Sequence, residues 1–396
     1  MSVDADGVVA FTRELVRTRS VHDPEAGCTE AAAAALVEAK MREFGWIPRV
    51  TEVAPGRPNV VAVVDGGAGR GPTLAFVGHT DVVTEGSLDS WTVDPYGAEI
   101  RDGRLYGRGS ADMKSGLAAM LYAVRALQLA GPFPGRVKVC ALADEEGLML
   151  GVKHFAGSAD ASDLDGAIIC EPEGGEVCLC AKGAIRIRID LHGKMAHGAM
   201  PQEGRNPIAA AGRLLVALAA YQDQLTAAHP AHEHLGPVLL TPTVVEAGSL
   251  PQINVIPAEC TVCVDVRTIP GVDHKALHDR VRQLAEQAGE PTSVRAHMEI
   301  IDDRPAVETD RDQPVAIAVA EAHEAIVGEP CRYGGVPGTT DGTILTRDAG
   351  VPTVVYGPGG KWIAHQADEF VEVDEIVRYT RVYLDAARRF LTEQRA

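Results

Sequence analysis

Residues 78–81 read G-H-T-D, 107–116 read G-R-G-S-A-D-M-K-S-G, 144–147 read D-E-E-G and 170–174 read C-E-P-E-G. A later stretch, I-A-H-Q-A-D-E, carries His365. Each cluster follows an apolar run or a glycine-rich turn. One histidine and a set of carboxylates therefore fall at the ends of expected strands. Residues 73–77 form a short apolar strand leading into Gly78-His79. Residues 136–143 form a buried strand that delivers Asp144-Glu145-Glu146, and 166–170 repeats the pattern and delivers Glu171. Polar residues at the C-terminal ends of parallel strands are where open α/β sheets place ligands.

Outward from these strands the periodicity predicts helices over 8–16, 30–44 and 113–130, and strands over 50–53 and 59–64. Strands alternating with helices imply an α/β fold with a mostly parallel, mixed sheet flanked by helices. The texture changes near Lys182. Residues 184–191 alternate as A-I-R-I-R-I-D-L, the period of a sheet with one wet face. A helix over 206–221, strands over 238–245 and 259–266, a helix over 272–288 and a strand over 293–301 follow. The order β-α-β-β-α-β is that of a ferredoxin-like α+β unit. The α/β pattern then resumes with helices over 314–327 and 341–348, a strand over 353–356 and a last helix over 373–392. The expected organisation is a discontinuous first domain, residues 1–182 and 303–396, with residues 183–302 inserted as the second.

At 396 residues the chain is long for a single core. Hydrophobic residues at 46% and charged residues at 23% place it among folded chains. A formal net charge of −18 argues against nucleic acid or an anionic membrane as partner, because phosphate binding needs clustered Lys and Arg. The N-terminal M-S-V-D-A-D-G shows neither basic nor apolar signal region, and no apolar run approaches the roughly 20 residues of a membrane span. Of the 8 cysteines, Cys260 and Cys263 have C-x-x-C spacing. They lie in a strand-like run where residues three apart point to opposite faces, so reduced thiols are expected rather than a zinc or redox pair. The expected location is cytoplasmic.

Each member of the opening series has a bland reading when taken alone. His79 could be a structural histidine, Asp112 an N-cap, Glu171 a turn cap and His365 an exposed loop residue. His79 and Asp81 form H-x-D, and at a strand end residues two apart face the same way, so a carboxylate can orient the ring. Glu145-Glu146 is the sharpest signal: adjacent acids after a buried run repel each other and are costly without cations. One can ligate a metal while the other acts as a general base. As a set, His79, Asp112, Glu146, Glu171 and His365 offer nitrogen and oxygen ligands for two metals, zinc by preference, with cobalt or manganese as alternatives. Two metals about 3.5 Å apart can activate a water and polarise a carbonyl together.

The motifs in this order, with G-T-T-D-G at 338–342, resemble the M20 metallopeptidases. That family includes acetylornithine deacetylase, succinyl-diaminopimelate desuccinylase, aminoacylase and glutamate carboxypeptidase. The resemblance spans essentially the whole chain. It implies a zinc-peptidase-like domain in which His79, Asp112 and Glu171 hold one zinc and Asp112, Glu146 and His365 the other. Glu145 would be the general base and Asp81 the orienting acid, with a cis peptide after Asp112. The inserted unit would be a lid and dimerisation domain, making the chain a homodimer. In G-K-M-A-H-G-A-M-P, His197 would reach the partner's site and stabilise the oxyanion. Asn254, Arg267, Gly338 and Thr339 match substrate-contacting positions, Arg267 through a carboxylate. Its bland reading is a strand-end salt bridge. Gly198 stands where many relatives carry Ser, and Lys361-Trp362 has no match.

The resemblance implies a hydrolase of the amide bond in an N-acyl amino acid or related small substrate. The alternatives are a dipeptidase or carboxypeptidase of the same family. An M28-type aminopeptidase shares the metal pattern but lacks the inserted unit. A non-catalytic protein of this fold would be expected to have lost a ligand or the base, and this chain retains them all.

Overall fold

The computed structural model describes residues 2–392. They form two compact units. The first comprises residues 2–180, Thr309–Val336 and residues 340–392, and the second Ala181–Glu308 with Pro337–Thr339.

The sheet of the first unit runs in the order Arg49–Ala54, Arg57–Asp65, Arg136–Leu142, Thr73–His79, Gly166–Ile169, Thr353–Val355, Glu176–Ala181. The pairings between Arg136–Leu142 and Thr353–Val355 are parallel, and those outside are antiparallel. The strand Thr73–His79 is buried at every position. A strand covered on both faces loses the alternation of a half-wet one, which is why T-L-A-F-V-G-H is a continuous apolar run. Successive side chains still alternate. Ile168 joins the core containing Val315 and Phe390, while Ile169 lies against Gly342 of the helix Asp341–Ala349. Phe76, fully buried, stacks obliquely on Tyr383 with ring centroids 5.3 Å apart. Burying one such ring stabilises by about 1.5–3 kcal/mol. Among the described residues no helix is long and apolar enough to cross a membrane.

The second unit has a four-stranded antiparallel sheet in the order Leu239–Ala247, Glu259–Thr268, Gly183–His192, Arg295–Arg304. Its helices are Pro207–Ala228 and His274–Gly289. The expected alternation is present: Ile185, Ile187, Ile189 and Leu191 are buried, while Arg188 and Asp190 pair on the other face. Cys260 sits opposite buried Leu191 and Cys263 opposite Arg188, so the C-x-x-C pair points to opposite faces. All eight cysteines are free.

Several elements differ from expectation. The helix expected over 113–130 begins at Ser115, because Asp112 and Met113 lie in an irregular, non-helical turn joined by a cis peptide bond. The helix expected to end at Tyr221 continues to Ala228. Its polar Gln222 bonds Thr226 rather than ending the turn, and Leu225 supplies another buried contact. The short helix Leu150–Ala156 and the strand Arg332–Val336 carry too little periodicity to announce themselves.

Candidate active site

Strand register assembles the first half of the site. Val77 pairs with Ile169 in parallel, so His79 and Glu171 leave the sheet side by side. His79 also pairs with Leu142, which sends the following Asp144-Glu145-Glu146 past the same sheet edge. The His79 Nε2 atom lies 3.3 Å from Glu171 Oε1 and 3.1 Å from Asp112 Oδ1. His79 is 1% exposed and Glu171 5%.

The turn carrying Asp112 depends on two glycines. Gly109 has φ +81, and a Cβ there would meet Val82 at 2.6 Å. Gly116 lets the helix Ser115–Leu129 lie on the backbone at Cys170, where a Cβ would stand 2.0 Å from the carbonyl oxygen. Asp112 is thereby brought between the two histidines. Its Oδ1 faces His79, and its Oδ2 lies 3.2 Å from His365 Nε2. His365 Nε2 is also 2.9 Å from Glu146 Oε1. His365 comes from the loop before Phe370–Glu372, has φ +65, and its side chain is 50% exposed.

Asp81 has a different task from the one its motif suggests. The His79 Nδ1 atom donates to the Asp81 backbone carbonyl at 2.9 Å, with the Asp81 carboxylate farther off at 3.6 Å. That bond leaves Nε2 unprotonated in the neutral ring, aimed at Asp112 and Glu171. The Asp81 carboxylate instead accepts from the backbone N–H groups of Glu145 and Glu146, each at 3.1 Å. Behind it lies buried Arg57, which bonds Glu30 at 2.6 Å and also Asp144. The Asp144 carboxylate, at a residue with φ +66, accepts from Leu148 and Leu150 N–H groups. Glu30 and Arg57 carry no pattern that marks them in the sequence, and D-E-E-G does not display the role of Asp144; their meeting across 27 and 87 residues does.

The electrostatics call for cations. Burial pushes the carboxyls of Glu145, Glu146 and Glu171 above the usual range, aided by Glu171 beside Glu145 and by Asp112 beside the other two. Burial opposes charge on His79, yet Glu171 and Asp112 raise it well above the ordinary imidazole value. His365, bonded to Asp112 and Glu146, is pushed up to about 10. Asp112 is held far below the carboxylate range by His365 and His79 despite its burial. Donor atoms of His79, Asp112 and Glu146 lie within 4.8 Å of one another, as do those of His79, Glu145 and Glu171. The second triplet includes Glu145, so all three strand-end glutamates reach one cluster. Four carboxylates around two imidazoles, with a shared aspartate facing a nitrogen on each side, fit a pair of divalent ions. A cavity of about 390 Å³ lined by Val82, Val83, Arg57 and Asp144 adjoins Asp81 and Glu146.

The other expected residues lie in the second unit. His197 belongs to the strand Ala196–His197, paired with Val255–Ile256 next to Asn254. Its Nδ1 accepts from Ala199 N–H at 3.0 Å. A Cβ at Gly198 would stand 3.0 Å from the Asn254 carbonyl oxygen, which accepts from Gly198 N–H at 2.6 Å. Arg267 bonds Asp265 through Nε at 2.7 Å and Nη2 at 3.2 Å, so in this structure its fork faces its own strand's aspartate. The Thr339 hydroxyl accepts from Arg304 at 3.0 Å, and Gly338 adjoins it. Lys361 bridges Glu173 and Glu176 at 3.1 and 3.0 Å, which gives that unmatched residue a structural place.

Comparison with known proteins agrees with this geometry. Residues 75–389 match the model of peptidase family M20/M25/M40. A succinyl-diaminopimelate desuccinylase of Cereibacter sphaeroides is 33% identical, over 97% of this chain and 99% of its own length. Its counterpart in Methylorubrum extorquens is 32% identical, over 95% and 96%. An M20 family metallo-carboxypeptidase of Sulfolobus solfataricus shares the fold, with a TM-score of 0.81 at 18% identity over 98% of this chain and 99% of its own. The chain belongs to peptidase family M20/M25/M40 and is a metallohydrolase of amide or peptide bonds.

Proposed function

We propose that the protein hydrolyses the amide bond of an N-acyl amino acid, with N-succinyl and N-acetyl amino acids as the first substrates to test. The observation that carries this reading is the bridging position of Asp112 between His79 and His365, with Glu145 held beside them by Asp81. The likeness to two desuccinylases supports the acyl class. His79, Asp112 and Glu171 would hold one zinc ion, and Asp112, Glu146 and His365 the other. Bound there, the ions supply Lewis acidity and lower the pKa of a water.

The chain's own residues do the rest. Glu145 takes a proton from the attacking water as its oxygen bonds to the acyl carbon. It then returns that proton to the amine nitrogen as the carbon–nitrogen bond breaks. Glu145 is buried and its backbone N–H is held by Asp81, which steadies the residue for both steps. His197 suits an oxyanion donor, since Nδ1 accepts from Ala199 and the neutral ring must carry its proton on Nε2. It would serve in a homodimer, from one protomer to its partner. The edge strand Leu239–Ala247 supports such a dimer, because among the described residues it pairs on one side alone and it exposes Val244 at 45% and Val245 at 54%. Asn254, Arg267, Gly338 and Thr339 would contact substrate, Arg267 only by exchanging Asp265 for a substrate carboxylate.

The test is a hydrolysis screen with added zinc or cobalt over N-succinyl amino acids, N-acetyl amino acids, dipeptides and aminoacyl anilides. Turnover of N-acyl amino acids above the other classes is expected. Preference for dipeptides or free-amine anilides would replace this reading with a peptidase one.

A further inference from the structure

One fully buried ion pair takes no part in the chemistry above. Arg108 is 2% exposed and Glu369 0%. Arg108 Nη1 donates to Glu369 Oε2 at 2.5 Å. The other carboxylate oxygen, Oε1, accepts from two successive backbone N–H groups, Ala111 at 3.0 Å and Asp112 at 3.1 Å. The Glu369 carbonyl accepts from Gly107 N–H at 2.9 Å. Arg108 Nη2 donates to the His365 carbonyl at 3.4 Å, and the guanidinium lies 5.2 Å from the Trp91 ring centre. The pair therefore grips the backbone at Ala111 and at two residues of the site at once. One is Asp112, and the other is His365, whose side chains meet at 3.2 Å.

Stability alone is a poor account of such a pair. Exchanging a buried ion pair for apolar residues is often neutral or stabilising, because desolvation offsets the attraction. His365 also lacks the packing that fixes His79: half its side chain is exposed and its backbone is left-handed. Its loop is tied down at Asp368, whose carboxylate accepts from Thr92 N–H and hydroxyl at 2.8 Å each, and at Glu369. We propose that Arg108 and Glu369 are positioning residues. They set the span between Asp112 and His365, and thereby the affinity of that half of the site for its divalent ion. This rests on the two-ion reading above.

The experiment titrates metal-free full-length protein with Co²⁺, following heat and visible absorption, for wild type, Glu369→Gln, Arg108→Lys and Arg108→Met. Wild type is expected to bind two ions. Glu369→Gln and Arg108→Met should weaken the site that includes His365 by roughly 10–100-fold, the range for partners that orient metal ligands, and the site beside His79, which shares Asp112, by clearly less. Arg108→Lys should recover part of the loss, since an ammonium can pair with Glu369 but cannot also reach His365. Hydrogen exchange at the Ala111 and Asp112 amides should quicken in metal-free Glu369→Gln. Glu369→Gln is isosteric and carries the test if Arg108→Met does not fold. Wild-type affinities at both sites in folded variants, or equal weakening of both, would overturn the proposal. Wild type binding fewer than two ions would overturn the two-ion reading, and the proposal with it.

Discussion

His79 and His365 face the same carboxylate from opposite sides, at 3.1 and 3.2 Å, yet His79 is 1% exposed and the His365 side chain 50%. Their supports differ in kind. His79 ends a wholly buried strand, and parallel register sets it beside Glu171. His365 stands in a loop with positive φ, secured by polar contacts at Arg108, Asp368 and Glu369. A ligand fixed by sheet register is placed by the fold itself. A ligand on a loop is placed by whatever grips the loop. One half of the site should therefore be rigid and closed, and the other adjustable and open to exchange.

The largest effect expected on the buried half is chemical. Glu145→Gln should lower kcat by about 10²–10⁴-fold, the usual worth of general acid–base catalysis. Both ions and the thermal melting should be retained, as checked by steady-state kinetics beside metal analysis. Near-normal turnover would remove Glu145 as the base.

Next come the two histidines, whose loss should not be equivalent. His79→Ala leaves Asp112 and Glu171 facing a buried gap, and metal-free protein should lose about 3–5 kcal/mol of stability, as when one partner of a buried charged cluster is removed. His365→Ala should cost about 1 kcal/mol or less, because half of its own side chain is open to solvent. Denaturant titration of both variants measures the difference, and equal losses would erase the distinction between the halves.

Chelation gives a smaller contrast. Graded EDTA should remove one ion before the other, and the first loss should be missing in His365→Ala. Simultaneous release of both ions would argue for two halves of one strength.

The smallest effect is a pH dependence of the metal-free protein. Asp112 and Glu146 raise His365 from an ordinary 6.5 to about 10 in the folded state. A base raised on folding stabilises fully below its unfolded pKa, and that stabilisation fades as pH rises through the folded value. Wild type should thus melt above His365→Gln at pH 6, and the gap should narrow toward pH 10. Solvent screening at this half-exposed residue keeps the effect modest. A gap that widens with pH would contradict the assignment.

The same contrast governs what could be read from the sequence. The buried half was legible because local chemistry is regular there: apolar runs ending in His79, Glu145 and Glu171 spell strands that converge at one edge. The ferredoxin-like order of the second unit was legible for the same reason, through the alternation of Ile185 to Leu191. His365 was a weak member of the set, an exposed loop residue when taken alone, since nothing local ties it to Asp112, 253 residues earlier by number. The grips were not legible at all. Arg108, Asp144 and Glu369 sit inside the motifs themselves, but their roles depend on backbone N–H groups that the sequence does not display. Asp81 shows the same limit: its motif suggested a bond to His79, whereas its carboxylate holds the Glu145-Glu146 backbone.

The central claim is a pair of ions sharing Asp112. Anomalous diffraction from a zinc-loaded crystal tests it most directly. Two peaks about 3.5 Å apart are expected, one beside His79 and Glu171 and the other beside Glu146 and His365, with one oxygen of Asp112 toward each. A single peak at full loading, or two peaks not bridged by Asp112, would contradict the account.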